Sequence, residues 1–137
     1  MSAAKARGTA WESAIVTALK PLLPGIRRSV QTGRLDDGDL HGVSPWIIQA
    51  KNYKSWETAI REGLDGAERQ KLVAREPFGV AFVKRARRGT LDGYAVTTVR
   101  TWALVLVRLR RAEALLLHHA PEAYEVHAFQ CDRDLGE

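Results

Sequence analysis

A chain of 137 residues with a formal charge of +5 and a pI near 9.7 has the length of one compact domain. Residues 1–137 are therefore read as a single domain, with flexible ends at about 1–6 and 130–137. A hydrophobic fraction of 45% and a charged fraction of 27% exclude a low-complexity, collagen-like or solenoid-repeat protein. The longest purely apolar run, Trp102 to Val107, is far short of the roughly 20 residues that cross a bilayer, so no membrane role is expected.

Along the chain, Trp11, Ile15, Ala18, Leu19 and Leu22 recur at helical spacing, which predicts an amphipathic helix over about residues 3–23, ended by Pro21 and Pro24. Glu12 lies at the edge of its apolar arc. Residues 27–31 form a short candidate strand, followed by a polar loop over 32–38. Residues 39–43 and 46–52 are two β-favouring runs separated by Ser44-Pro45, a hairpin signal. With the turn centred on Ser44, Asp39 lies opposite Gln49.

Ser55 can cap a second helix running to about Arg75, with Ile60, Leu64 and Ala67 on one face. The apolar run Val80-Ala81-Phe82-Val83 has the character of a buried strand, residues 94–100 predict another, and the basic loop 85–92 joins them. A third helix is expected from a Thr101 cap to His118-His119, whose charge suits a helix C-terminus. A last short strand is expected over residues 124–129. The order α-β-β-β-α-β-β-α-β implies an α/β protein, a mixed central sheet flanked by helices.

Charge is unevenly placed. Between Lys84 and Arg111 stand eight basic residues (Lys84, Arg85, Arg87, Arg88, Arg100, Arg108, Arg110, Arg111) against the single acid Asp92, a clustering that suits a polyanionic partner or a solvated basic face. The lone cysteine, Cys131, cannot form an intrachain disulfide. The N-terminus lacks the apolar run and small-residue cleavage site of a secretory signal, so an intracellular location is expected.

Chemistry concentrates in the hairpin. Residues two apart on a strand share a face, so Gln49 and Lys51 project together, and Asp39 can join them from the neighbouring strand. A carboxylate, an amide oxygen and an ammonium converging on a face flanked by apolar residues are poorly accommodated without a further ligand, and a divalent cation supplies it. Magnesium takes oxygen donors and is commonly held by one or two carboxylates with substrate phosphate and water. The expected donors are Asp39, the side-chain oxygen of Gln49, the carbonyl of Ala50, and Glu12 directly or through water, with Mn2+ substituting for Mg2+. Lys51 would orient the water or pair with a phosphate. The competing reading is structural: Asp39 caps a turn, Gln49 and Lys51 lie on a solvated edge strand, and Glu12 is a surface helix residue.

These elements, Glu12, Gly38-Asp39-Leu40 and Gln49-Ala50-Lys51, resemble the PD-(D/E)XK nuclease superfamily, in which a helix glutamate precedes a hairpin with an aspartate and an acidic-x-lysine signature. The opening Arg7-Gly8-Thr9-Ala10-Trp11-Glu12 is similar to the basic-Gly-x-x-x-Glu start of archaeal-type Holliday junction resolvases. Phage members of that group look closer still, sharing Ala50-Lys51-Asn52 and Gly79-Val80-Ala81-Phe82-Val83-Lys84-Arg85. The likeness covers about residues 5–110. It implies a restriction-endonuclease-like fold and a Mg2+-dependent endodeoxyribonuclease, a homodimer that resolves branched DNA. A restriction-like, flap or single-strand nuclease, or a DNA-binding module without catalysis, are the alternatives. Gly38 stands where that pattern has proline, and Gln49 where it has an acid. The second change removes a negative charge that Glu12, Asp36 or Asp37 would have to supply.

Arg7, Arg28, Arg34 and Lys54, near the proposed site in sequence, and Arg85, Arg87 and Arg88 in the basic loop are the candidate DNA contacts, with Arg27 a further phosphate candidate. Tyr53 and Trp56 flank the hairpin strand and suit either stacking on bases or core packing. Gln70 is a candidate for pointing at the site from the second helix. His41 suits either a place near the site or a simply exposed hairpin position, the commoner fate, and His118 and His119 have no metal-ligand spacing.

Overall fold

The computed structural model describes residues 2–30 and 38–134. It divides into two compact units, Met1–Thr98 and Val99–Glu137. The first begins with helix α1 (Ala3–Leu19), which Ser2 caps by accepting a hydrogen bond from the Lys5 amide at 3.2 Å. This helix is shorter than the apolar spacing suggests. Pro21 lacks an amide donor, and the chain turns instead through Leu22 and Leu23, whose amides both donate to Leu19 O.

A five-stranded sheet follows in the order β1 (Arg27–Arg28), β2 (Leu40–His41), β3 (Trp46–Lys51), β4 (Phe78–Val83) and β5 (Tyr94–Val96). β3 and β4 are parallel and the other pairs antiparallel. Helix α2 (Trp56–Ala74) makes the crossover between the parallel strands, starting at Ser55, whose hydroxyl accepts from the Thr58 amide as expected of an N-cap. The chain is thus α/β, with a mixed sheet flanked by helices.

The central parallel pair is covered on both faces, which explains its continuous apolar sequence. On one face Trp11 and Ile15 of α1 pack with Ile26, Leu40, Ile48, Ala50 and Val80. The Trp11 indole also donates to Phe82 O at 3.0 Å, so this large ring is buried without an orphaned N–H. On the other face Ala81 and Val83 meet Ala59, with Ile60 and Leu64 half-buried beside them. α2 therefore buries a stripe of Ala59, Gly63, Gly66, Ala67 and Gln70. Of the stripe expected from periodicity, Ala67 is buried as expected, while Ile60 and Leu64 lie at the edge, because small residues are what allow the helix to approach the sheet.

The second unit is a pair of helices, α3 (Val99–His119) and α4 (Pro121–Asp134), joined by Ala120. α3 starts two residues before Thr101, which is buried in the first turn rather than capping it. The strand expected over residues 124–129 is instead part of α4. Its alternation mimicked a strand, but Pro121 at the first helical position and Glu122 in the first turn start a helix. His127 Nε2 lies 3.6 Å from Glu113 Oε1 across the pair. Among the described residues, no helix is long and apolar enough to cross a membrane.

Candidate active site

The hairpin register sets the geometry. Leu40 pairs with Ile48, so Asp39 stands opposite Gln49. Asp39 is held by its backbone on both sides: its amide donates to Ile48 O at 2.9 Å, and its carbonyl accepts from the Ser29 amide at 2.9 Å. Its side chain is held as well, with Oδ2 accepting from the Ala50 amide at 2.7 Å. A carboxylate that accepts a backbone N–H at this distance is fixed in place.

On β3, Gln49 and Lys51 face α2, opposite to the Trp11 side of the sheet. Gln49 is 5% exposed and Gln70, on α2, 7%. Two buried primary amides are costly unless paired, and here Gln49 Nε2 donates to Gln70 Oε1. Gln70 thus does reach this strand, and the Gln49 oxygen remains the end of that side chain able to accept or ligate. Glycine makes the approach possible. A Cβ on Gly66 would lie 3.4 Å from Gln49 Oε1, and one on Gly63 would lie 3.1 Å from Lys51 Cγ and 3.0 Å from Ala81 Cβ.

Lys51 is half-buried, its Nζ 5.9 Å from the centroid of the Tyr53 ring. The Tyr53 phenol lies within electrostatic reach of Glu62 on α2. Burial first, then that carboxylate, then the Asp39 charge push its pKa above the ordinary phenol value. Tyr53 is therefore under the influence of two carboxylates, Asp39 on the hairpin and Glu62 on the helix. Glu62 escaped the sequence reading, since its place is set by the α2 crossover, although Tyr53 was noticed. The signal that could have found it is the Gly63-x-x-Gly66 spacing beside it, which marks a helix face pressed on a strand.

Glu12 reaches the β1 side of the hairpin, where its Oε2 accepts from Arg28 Nε at 2.9 Å. Arg28 pairs with Leu40, the neighbour of Asp39. Arg7 is exposed on α1, Arg27 on β1 and Lys54 in the turn before α2, while Arg34, Asp36 and Asp37 lie outside the described residues. Arg87 and Arg88 are exposed in the β4–β5 loop, with Arg87 in the left-handed conformation. Arg85 donates to Asp92 O at 3.3 Å and lies over the Tyr94 ring. His41 is half-buried on β2, and His118 and His119 are exposed at the end of α3.

Among the described residues, no three His, Cys, Asp or Glu side chains converge as a metal-holding group. The donors along the hairpin are all oxygens: the Asp39 carboxylate, the Gln49 amide oxygen and the Ala50 carbonyl. That chemistry fits a hard divalent cation bound with one protein carboxylate and completed by substrate and water. No protein family, curated protein or solved structure matches the chain.

Proposed function

We propose that the protein is a divalent-metal-dependent DNA endonuclease with a restriction-endonuclease-like fold. Within that class we assign it to enzymes that cut branched DNA, as a Holliday junction resolvase does. The observation that carries this reading is the Asp39 carboxylate locked by the Ala50 amide at 2.7 Å, one strand from Gln49 and Lys51.

Asp39, the Gln49 oxygen and the Ala50 carbonyl would hold Mg2+, or Mn2+ in its place. When bound, the ion supplies a water of lowered pKa and positive charge at the phosphate. Lys51, steadied by Gly63 against its stem and the Tyr53 ring beside it, pairs with a phosphate oxygen and opposes the charge that grows as water attacks phosphorus and the P–O ester bond breaks. Glu12 orients Arg28 towards the DNA backbone. Arg7, Arg34, Lys54, Arg85, Arg87 and Arg88 supply further phosphate contacts.

Two symmetric nicks in a four-way junction require two sites, hence two copies of the chain. The apolar residues Val99, Trp102 and Leu109 that α3 leaves exposed offer a surface for the second copy. The amide at Gln49 favours one competing reading, a module that binds DNA and does not cut it. A labelled junction incubated with Mg2+ separates the two. Paired nicks are expected, falling at least about 100-fold in Asp39→Ala and Lys51→Ala. Full activity in both variants refutes the assignment of the site. Binding to the junction without cleavage, with no heat of Mg2+ or Mn2+ binding, establishes the module instead.

A further inference from the structure

Three aromatic rings stand in solvent near the C-terminal ends of β3 and β4: Tyr53 is 40% exposed, Trp56 54% and Tyr94 39%. Rings of this size normally gain from burial, and three on one edge form a patch that needs a partner. Trp56 and Tyr94 lie 6.3 Å apart between centroids, tilted by 44°. The Arg85 guanidinium sits 5.0 Å from the Tyr94 centroid, aimed by its hydrogen bond to Asp92 O. Lys51 Nζ stands 5.9 Å from the Tyr53 centroid. The strands join these two cation–ring pairs, because the Lys84 amide donates to Lys51 O at 3.0 Å and Tyr94 pairs with Val83.

Charge surrounds the rings. Residues 51–57 and 84–94 hold six cations (Lys51, Lys54, Lys84, Arg85, Arg87, Arg88) against two acids, Glu57 and Asp92. In a closed duplex the base faces are already stacked on one another and only phosphates are offered. An edge that presents ring faces and cations together matches a strand whose bases are unpaired. We infer that this edge binds single-stranded DNA, stacking unpaired bases on Trp56 and Tyr94 while Lys54, Lys84, Arg87 and Arg88 take the phosphates.

The inference deepens the nuclease reading and rests on it for the choice of DNA over RNA. Lys51 Nζ is 5.9 Å from the Tyr53 ring, so unpaired nucleotides on this edge lie beside the proposed reacting phosphate. The preferred substrate is then a branch with unpaired nucleotides at its crossing rather than a fully paired duplex.

Fluorescence anisotropy with labelled oligothymidylate, a duplex of the same length and oligouridylate, all in EDTA, tests it on the full chain. Oligothymidylate is expected to bind tightest. Trp56→Ala and Tyr94→Ala should each weaken it about 5- to 150-fold, the range for one lost stacking contact, and Trp56→Phe should retain most of the affinity. Arg87→Gln with Arg88→Gln, in an exposed loop whose change leaves the core intact, should reduce the salt slope by about two phosphate contacts. Duplex binding as tight as single-strand binding, or unchanged affinity in both alanine variants, overturns the inference. Tighter binding of oligouridylate overturns the choice of DNA. A protein that binds oligothymidylate through Trp56 and cuts no DNA refutes the nuclease reading alone, and one that cuts junctions without preferring single strands refutes this inference alone.

Discussion

Replacing Gln49 by glutamate introduces the acid that the proposed nuclease reading would expect at this position while changing one atom of the side chain. In the native arrangement Gln49 Nε2 donates to Gln70 Oε1, with both amides more than nine-tenths buried. A carboxylate has no proton to give, so Gln70 must turn its amide and donate instead. The loss of one neutral hydrogen bond, about 1 kcal/mol, and the desolvation of a charge at a 5% exposed position are partly offset by the new charge-assisted bond of about 1.5–3 kcal/mol. We expect a net loss of about 2–3 kcal/mol at neutral pH, or about 10–20 °C in Tm for a unit of this size. Burial raises the pKa of the carboxyl introduced by Gln49→Glu in the folded state. Its protonated form is therefore tolerated, and the loss is smallest below the ordinary carboxylate range and grows as pH rises through that range towards the folded-state pKa. Under the proposed metal-dependent reading, a cation shared with Asp39 would reverse the penalty. At 100 times its dissociation constant, Mg2+ restores about 2.7 kcal/mol. Thermal unfolding at acid and neutral pH, with and without MgCl2, measures all of this. A Tm for Gln49→Glu that equals the native value and ignores Mg2+ would falsify the placement of residue 49 between Asp39 and Gln70.

Gly63→Ala should destabilise by about 1–2 kcal/mol in urea unfolding, although alanine is the better helix former by about 1 kcal/mol, because the added methyl meets Ala81 Cβ at 3.0 Å and Lys51 Cγ at 3.1 Å. A stabilised variant would show that α2 does not press on β3 as described. Spectrophotometric titration should find one tyrosine ionising above the ordinary phenol value, shifted back towards it in Glu62→Gln. Because the phenol pKa is raised on folding, this contribution to stability is complete below the unfolded pKa and is lost as pH rises through the folded one. A titration unchanged in Glu62→Gln would assign the effect to burial and the Asp39 charge.

The hairpin was legible in the sequence because its register follows from the turn and the pleat. Two β-favouring runs about Ser44 place Asp39 opposite Gln49, and the Leu40 to Ile48 pairing has that register. The parallel pair was legible for a similar reason, since a strand buried on both faces must be apolar throughout. What could not be read is whatever depends on contact between elements distant in the chain. Ile60 and Leu64 looked like the inner face of α2 because burial was expected to follow bulk. The close approach reverses this, and Gly63, Gly66 and Gln70 lie inside. The final helix was mistaken for a strand because six residues of alternating polarity fit either period, and the Pro121 start outweighed the alternation.

Gln49 shows why the departure from the acidic pattern is a property of the whole layer and not of one position. An acid on β3 would confront the Gln70 carbonyl oxygen from α2, at a place where Gly66 leaves 3.4 Å between the Gln49 oxygen and any added Cβ. The amide at 49, the amide at 70 and the missing side chain at 66 therefore form a matched set, and changing one asks for a change in another. The Gln49–Gln70 bond also turns the Gln49 oxygen away from its partner while its nitrogen is held, which presents a neutral donor in a fixed direction. If a cation binds there, its protein charge comes from Asp39, the carboxylate opposite Gln49. A double variant, Gln49→Glu with Gln70→Lys, follows from this reasoning. The lysine pairs with the new carboxylate and recovers part of the stability lost in Gln49→Glu, yet it should abolish the Mg2+-dependent rise in Tm, because the carboxylate cannot serve both partners.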